Sequence, residues 1–134
     1  MIENLGGVTS QVAWLALDAL SLRHQVISHN IANAETPGFV PKRLEFSQQL
    51  HTLVNSLGGG AAALAGTPGF THEIDRMREE LRAGAFTNAH TDQVVEIDME
   101  MVDLTANVLQ YRSIIEAQSK RGDLLRMAIR ERSV

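Results

Sequence analysis

The residue types that do chemistry in proteins are sparse in this sequence, and their spacing forms no recognisable site. Two of the five histidines, His24 and His29, lie on the same predicted helix. A separation of five residues places them about 140° apart around that helix, so they cannot bind one metal ion together. The sequence has no His-Glu-x-x-His motif, no cysteine and no Asp-rich calcium loop. We therefore expect no metal site and no cofactor.

Two carboxylates, Glu96 and Glu100, are four residues apart and share a face of a predicted helix. Paired carboxylates can act as general acid and base. Their place in the first turn of the helix gives a simpler explanation, because acidic side chains there interact favourably with the helix dipole. The sequence also lacks a Gly-x-Ser-x-Gly motif, a phosphate-binding loop and a dinucleotide-binding fingerprint. We predict that the protein is not an enzyme and has no catalytic residues.

The composition indicates one small domain with little material for a thick core. The chain has 134 residues, of which only 4% are aromatic, and its net charge is −4. No stretch is dense in Lys or Arg, so a nucleic-acid partner is not expected. The N-terminus lacks the features of a secretory signal, and no segment reaches the roughly 20 apolar residues of a membrane span. We expect no direct membrane insertion and some burial against other chains.

Two apolar stripes, one near each end of the chain, repeat every three or four residues. This alternation averages about 3.5 residues, which keeps an apolar face turned toward a partner helix. The N-terminal stripe consists of Leu5, Val8, Val12, Leu15, Ala19, Leu22 and Val26. The C-terminal stripe consists of Ile97, Met101, Leu104, Val108, Tyr111 and Ile115, and resumes at Leu125 and Ile129. We predict a mainly α fold whose two long terminal helices pair through these stripes as a coiled-coil-like hairpin. The same residues are the predicted assembly interface.

The predicted organisation is a single domain, residues 1–134, in three parts. Residues 1–33 hold the N-terminal helix, residues 34–94 form an irregular middle segment rich in loops and turns, and residues 95–134 hold the C-terminal helix. The Gly/Ala-rich stretch at residues 58–63 predicts a flexible loop. Residues 67–70 repeat the Thr-Pro-Gly-Phe of residues 36–39, and chance explains this copy at least as well as a true repeat.

The first helix is unusually poor in charge. Between Val8 and Ala32 only Asp18 and Arg23 are charged. A helix with one face in water usually carries Lys, Glu and Arg on that face. We predict that this helix is buried on several sides; an ordinary amphipathic helix of low charge is the alternative.

A strong stop signal follows the first helix. Asn33 tolerates the left-handed backbone that ends a helix, and Pro37 cannot continue one. The Pro-Gly pair then favours a type II turn in which Gly38 takes a positive φ. The chain is therefore expected to leave the helix in a fixed direction.

The segment from Leu17 to Phe39 resembles the N-terminal signature of bacterial flagellar rod and hook proteins. In that family an Asn-x-x-Asn pair near the helix end precedes Thr-Pro-Gly and an aromatic residue. The matching positions are Asn30, Asn33, Thr36, Pro37, Gly38 and Phe39. The C-terminal segment, from Val95 to Ile129, is similar to that of one type of proximal rod protein, with the FlgC type as the alternative within the family.

The resemblance implies a structural subunit that polymerises through its terminal helices into the rod of the flagellar basal body. Such a subunit is exported through the flagellar type III apparatus without a cleaved signal peptide, and it lies in the part of the rod that spans the periplasm. The implied partners are copies of the chain itself, other rod proteins of the FlgC, FlgF and FlgG types, the adaptor FliE, the MS-ring protein FliF and the export apparatus.

Two other functions remain as alternatives. A cytosolic helical-hairpin adaptor would bind a partner helix through the same stripes. It would be a folded helical monomer or dimer by itself, whereas a rod subunit is expected to need burial against its neighbours. A small metal-dependent hydrolase is the second alternative, and the missing ligand spacing counts against it.

Overall fold

The computed structural model describes residues 2–58 and 68–131, with side chains for residues 7–55 and 69–131. The elements in chain order are α1 (Ile2–Ala32), β1 (Lys42–Leu44), α2 (Ser47–Gly58), α3 (Pro68–Arg82), β2 (Thr87–Ala89) and α4 (Ile97–Glu131). The side chain of Leu5 and most of the predicted Gly/Ala-rich loop lie outside the described residues.

The two terminal helices dominate the fold. Helix α1 has 31 residues and α4 has 35, and each contacts the other extensively. At about 1.5 Å per residue, α4 is roughly 50 Å long. The predicted mainly α fold with paired terminal helices is therefore confirmed. Helix α1 begins at Ile2, earlier than the apolar periodicity alone indicates.

The middle segment is rich in loops, as predicted, and its described residues form two helices and a small sheet. Strands β1 and β2 pair antiparallel, with Lys42 opposite Ala89 and Leu44 opposite Thr87. Two further backbone hydrogen bonds, from Glu45 N to Phe86 O and from His90 N to Pro41 O, extend this pairing at both ends. The sheet holds the chain that leaves α1 close to the chain that enters α4.

The hydrophobic core lies between α1 and the middle segment. It consists of Val8, Leu15, Ala19, Phe46, Leu53, Phe70, Ile74, Met77 and Leu81. Val12 and Leu22 pack against this cluster, and Val26 is half-buried. The prediction that the N-terminal stripe pairs with the C-terminal stripe is therefore wrong. Phe46 and Phe70 supply two of the largest side chains in this core, since aromatic side chains bury more area than aliphatic ones.

The face that helix α4 turns toward α1 overlaps only in part with the predicted C-terminal stripe. Its buried and half-buried residues also follow a three-four spacing, and we call them the inward stripe: Glu100, Leu104, Asn107, Tyr111, Ile114, Gln118 and Arg121. Five members of the predicted C-terminal stripe are exposed instead: Ile97, Met101, Ile115, Leu125 and Ile129. For these five the predicted pairing within the chain is wrong. Glu100 and Asn107 take the contact with α1 in the first half of α4, and Leu125 and Ile129 lie beyond Gly122, where every described residue is exposed. Val108 lies half-buried beside the inward stripe.

Helix α1 is buried on more than one side, as its low charge predicts. One side contributes Val8, Leu15 and Ala19 to the core. Leu17 and Ile27, which are 5% and 3% exposed, lie outside that cluster. The helix therefore lies between the middle segment and α4.

The two copies of Thr-Pro-Gly-Phe adopt different structures. The first forms the expected turn, in which Phe39 N donates to Thr36 O at 3.1 Å and Gly38 has a φ of 77°. In the second copy, Pro68 is the first residue of α3, a position where the missing N–H of proline is tolerated. This difference favours chance similarity over a structural repeat.

Candidate functional site

Asn30, near the end of α1, holds three elements together. Its side chain is fully buried. Its Nδ2 donates to Lys42 O at 2.9 Å, and its Oδ1 accepts from Lys42 N at 3.0 Å, so the amide pairs with β1 as a neighbouring strand would. The same Nδ2 lies 3.4 Å from Oε2 of Glu100 in α4. One signature side chain thus connects α1, β1 and α4.

Glu100 brings a buried negative charge to this junction. Its carboxylate is fully buried and pairs with Nη2 of Arg43 at 2.9 Å. The other arm of Arg43, Nη1, lies 3.0 Å from Oδ2 of Asp103. A buried carboxylate is tolerated only where an opposite charge and hydrogen bonds compensate it. Arg43 therefore attaches β1 to α4 through ion pairs with both carboxylates. We call Asn30, Lys42, Arg43, Glu100 and Asp103 the junction cluster.

Glu96 and Glu100 do not form an acid/base pair. Glu96 is exposed and Glu100 is buried, and their link is the helical hydrogen bond from Glu100 N to Glu96 O at 3.0 Å. The favourable interaction with the helix dipole explains Glu96. It does not explain Glu100, whose carboxylate forms an ion pair with Arg43 of β1, a strand that the sequence analysis does not predict.

The rest of the signature shapes the exit from α1. Asn33 closes the helix, since its Nδ2 donates to His29 O at 2.9 Å. The ring of His29 lies 5.4 Å from that of Phe39, which packs the turn back against the helix. Thr36, Pro37 and Gly38 are exposed and form the turn itself. Of the signature side chains, Asn30 is the one that is fully buried.

A second polar contact joins the terminal helices two turns of α4 further on. Asn107 is 2% exposed, and its Nδ2 donates to Leu20 O of α1 at 2.9 Å. Its Oδ1 has no hydrogen-bond partner in the part of the chain that the structure describes. Sequence reasoning gave no role to Arg43, and it placed Asn107 in the C-terminal resemblance without predicting its contact with α1. For Asn107 a signal existed, since it lies at a three-four spacing between Leu104 and Tyr111.

The polar contacts described above join α1, β1 and α4 to one another. Within residues 2–58 and 68–131, no three His, Cys, Asp or Glu side chains are grouped so that they could hold a metal ion. The clearest electrostatic effect lies on the surface of α3, where a hydrogen bond from Arg76 lowers the pKa of the Glu73 carboxyl. None of the described helices is both long and apolar enough to cross a membrane.

Helix α4 exposes an unusual amount of apolar surface. Ten of its large apolar side chains are exposed among those described: Ile97, Met99, Met101, Val102, Leu109, Ile115, Leu124, Leu125, Met127 and Ile129. Every described residue after Gly122 is exposed. Trp14 on α1 is also 58% exposed. Extended exposed apolar surface in a small protein marks a site of interaction with another protein.

Comparison with known proteins connects these features to one family. The family model described as "Flagella basal body rod protein" matches residues 11–39, which cover most of α1 and the turn that follows it. A flagellar basal body rod protein FlgB from Aeromonas hydrophila is 30% identical over 120 residues, covering 83% of this chain and 85% of that protein.

Two further relatives agree with this assignment. The FlgB protein of Bacillus subtilis (strain 168) is 23% identical over 118 residues, covering 85% of this chain and 87% of the relative. That of Escherichia coli (strain K12) is 26% identical over 110 residues, covering 78% and 80%. The matches extend well beyond the N-terminal signature and into α4. This chain therefore belongs to the FlgB family of flagellar basal body rod proteins.

Proposed function

We propose that the chain is a structural subunit of the flagellar basal-body rod and that it polymerises through the outer faces of its terminal helices. The observation that carries this proposal is the exposed apolar surface of α4. Its members from the C-terminal stripe are Ile97, Met101, Ile115, Leu125 and Ile129. On this proposal the whole chain, residues 1–134, acts as one axial domain.

The energy available from this surface is large enough to drive assembly. Complete burial of an exposed Val, Leu, Ile or Met side chain contributes roughly 1.5–3 kcal/mol before entropy costs. A surface ion pair contributes about 0–1 kcal/mol. Because several α4 side chains are about half exposed or more, burying a few of them contributes more free energy than the ion pairs at the helix surface. Head-to-tail contacts that do not close into a ring then extend as a filament.

The junction cluster has a separate part in this function. Through Asn30, Arg43 and Glu100 it fixes the path of the chain that leaves α1 relative to both terminal helices. Subunits in a regular assembly must present the same surfaces in the same relative positions. A rigid junction supports this requirement, because the middle segment then sits in one place beside the helices.

The partners proposed for the subunit follow from its family. Copies of the chain and rod proteins of the FlgC, FlgF and FlgG types are the proposed neighbours along the rod. The adaptor FliE and the ring protein FliF are the proposed neighbours at its membrane end, and the type III export apparatus delivers the chain. The periplasm-spanning part of the rod is the proposed location.

The experiment replaces an exposed apolar side chain with a charge. Ile115 is 45% exposed, so Ile115→Asp leaves the fold of the single chain largely unchanged but places a carboxylate in the proposed interface. Cells that carry this variant as their sole copy should export the chain yet build no rod and fail to swim. Measurements are motility in soft agar, the secreted protein and electron microscopy of purified basal bodies.

Thr52→Asp is the matched control, since Thr52 is an exposed polar residue of α2, outside the terminal helices. It should swim nearly as well as wild type. Normal swimming of the Ile115→Asp strain, with the variant present in its rods, would falsify the proposed interface. Leu22→Asp is unsuitable here, because Leu22 packs against the core and its loss would test the fold instead.

A further inference from the structure

Helix α4 buries two polar side chains against α1 while three apolar members of its C-terminal stripe stay exposed. Glu100 and Asn107 of the inward stripe are 0% and 2% exposed, whereas Ile97, Met101 and Ile115 are 43%, 49% and 45% exposed. Apolar burial alone would turn α4 about its axis until these three residues were also covered, since burial of apolar surface is the main favourable term in folding. Another interaction must oppose that rotation.

The opposing interactions are the polar contacts of Asn107 and Glu100. Asn107 Nδ2 donates to Leu20 O at 2.9 Å, and its Oδ1 has no partner among the described residues. Glu100 is held by Asn30 and Arg43. A half-satisfied buried amide is a poor source of stability, but a polar residue at a helix contact position is well suited to specify one arrangement over others.

We propose that Asn107, together with Glu100, sets the rotation of α4 about its own axis and so keeps Ile97, Met101 and Ile115 on the outside of the subunit. In any other rotation, the buried amide would lose its acceptor on α1. Asn107 is therefore a positioning residue: it acts on assembly through the orientation of α4. The use of the exposed stripe rests on the proposed function, whereas the rotation is a property of the single chain.

The solvent exposure of two methionines, Met99 and Met101, depends on this rotation. Met101 precedes Asn107 by six residues, which places it about 120° from Asn107 around the helix on one side. Met99 precedes it by eight residues, about 80° away on the other side. A rotation that buries Met101 therefore carries Met99 further into solvent. In the present structure the two are similarly exposed, at 49% and 56%, and Met77 in the core is 5% exposed.

The test is limited oxidation of the purified full-length chain by hydrogen peroxide, with sulfoxide located by tandem mass spectrometry. In wild type, Met99 and Met101 should oxidise at similar rates. In Asn107→Ala, which removes the amide without adding a large apolar side chain to the contact, oxidation of Met101 should fall relative to Met99 by up to about tenfold, the ratio of the exposed fractions of Met101 and Met77. Gln110→Leu is the control, because it replaces an exposed amide of the same helix and should leave the ratio unchanged.

An unchanged Met101-to-Met99 ratio in a folded Asn107→Ala chain overturns the inference. If that variant loses its helical circular dichroism, Asn107→Asp removes the same donor with almost no change in volume, and the same fall is expected; an unchanged ratio there also overturns it. The oxidation and motility experiments distinguish the proposed rotation of α4 from the proposed assembly interface. A fall in the ratio combined with normal swimming of Ile115→Asp cells would leave the rotation in place and remove the proposed interface.

Discussion

Replacement of Asn30 by alanine tests the junction cluster most directly. The side chain is fully buried and makes two hydrogen bonds with the backbone of Lys42, at 2.9 and 3.0 Å. The substitution removes both bonds, and it removes the donor that lies 3.4 Å from Glu100. Residues 40–45 would then be held to α1 and α4 mainly by Arg43 and by side-chain packing.

The expected loss can be worked out from these contacts. Each hydrogen bond to Lys42 contributes about 0.5–1.5 kcal/mol net, and a buried acceptor left without its donor adds about 1 kcal/mol. The free energy of unfolding should therefore fall by about 2–4 kcal/mol. That is a large part of the roughly 5–15 kcal/mol that is typical of a folded domain.

The assay is urea unfolding of the purified chain, followed by far-UV circular dichroism. Asn33→Ala is the matched control: Asn33 is the other signature asparagine, and its side chain bonds only locally, to His29 O, so about 0.5–1 kcal/mol is expected. Asn30→Asp should be worse than Asn30→Ala, because it sets a second carboxylate beside Glu100. Equal losses for Asn30→Ala and Asn33→Ala would refute the reasoning that the buried amide holds the junction.

Three other changes test separate features. Arg43→Ala leaves a buried carboxylate without its cation, and because Arg43 is about a third exposed we expect a loss of about 1–3 kcal/mol in urea unfolding; no loss would contradict the ion pair. Gly38→Ala forces a side chain into a positive φ and should cost about 1 kcal/mol, whereas Gly69→Ala in helical backbone should gain up to about 1 kcal/mol. Melting temperatures that shift in the same direction for both variants would show that the two Thr-Pro-Gly-Phe copies are alike. The pKa of Glu73 should lie below its usual range in an NMR titration and rise in Arg76→Ala. Its contribution to stability is present above the unfolded-state pKa and is lost as the pH falls through the lowered folded-state value. No pKa change in Arg76→Ala would contradict the hydrogen bond.

The features that local sequence determines were predictable. The end of α1 and the turn at residues 36–39 follow from Asn33, Pro37 and Gly38, whose backbone preferences act within a few residues. The burial of the N-terminal stripe follows from its periodicity. Helix α3 also carries a local signal, because Phe70, Ile74, Met77 and Leu81 repeat every three or four residues. That signal is short, and the charged residues between its members mask it.

The features that depend on distant partners were not predictable. Periodicity indicates which face of a helix is apolar, but not which element covers it, so the stripe of α1 was paired with α4 and not with α2 and α3. The rotation of α4 depends on a hydrogen bond between Asn107 and Leu20, which are 87 residues apart. Similarly, the resemblance identified Asn30 as a signature residue, but its partners Lys42 and Glu100 are known only from the structure.

The pairing of Asn30 with Lys42 also blocks an edge of the sheet. A two-stranded sheet has unpaired amides and carbonyls on its outer sides, and another chain can add to such an edge. In β1, the N–H and C=O of Lys42 are both occupied by one asparagine side chain. If subunits assemble through helix contacts, as proposed above, this protection favours that assembly, because strand addition between subunits would offer a competing route to disordered aggregates.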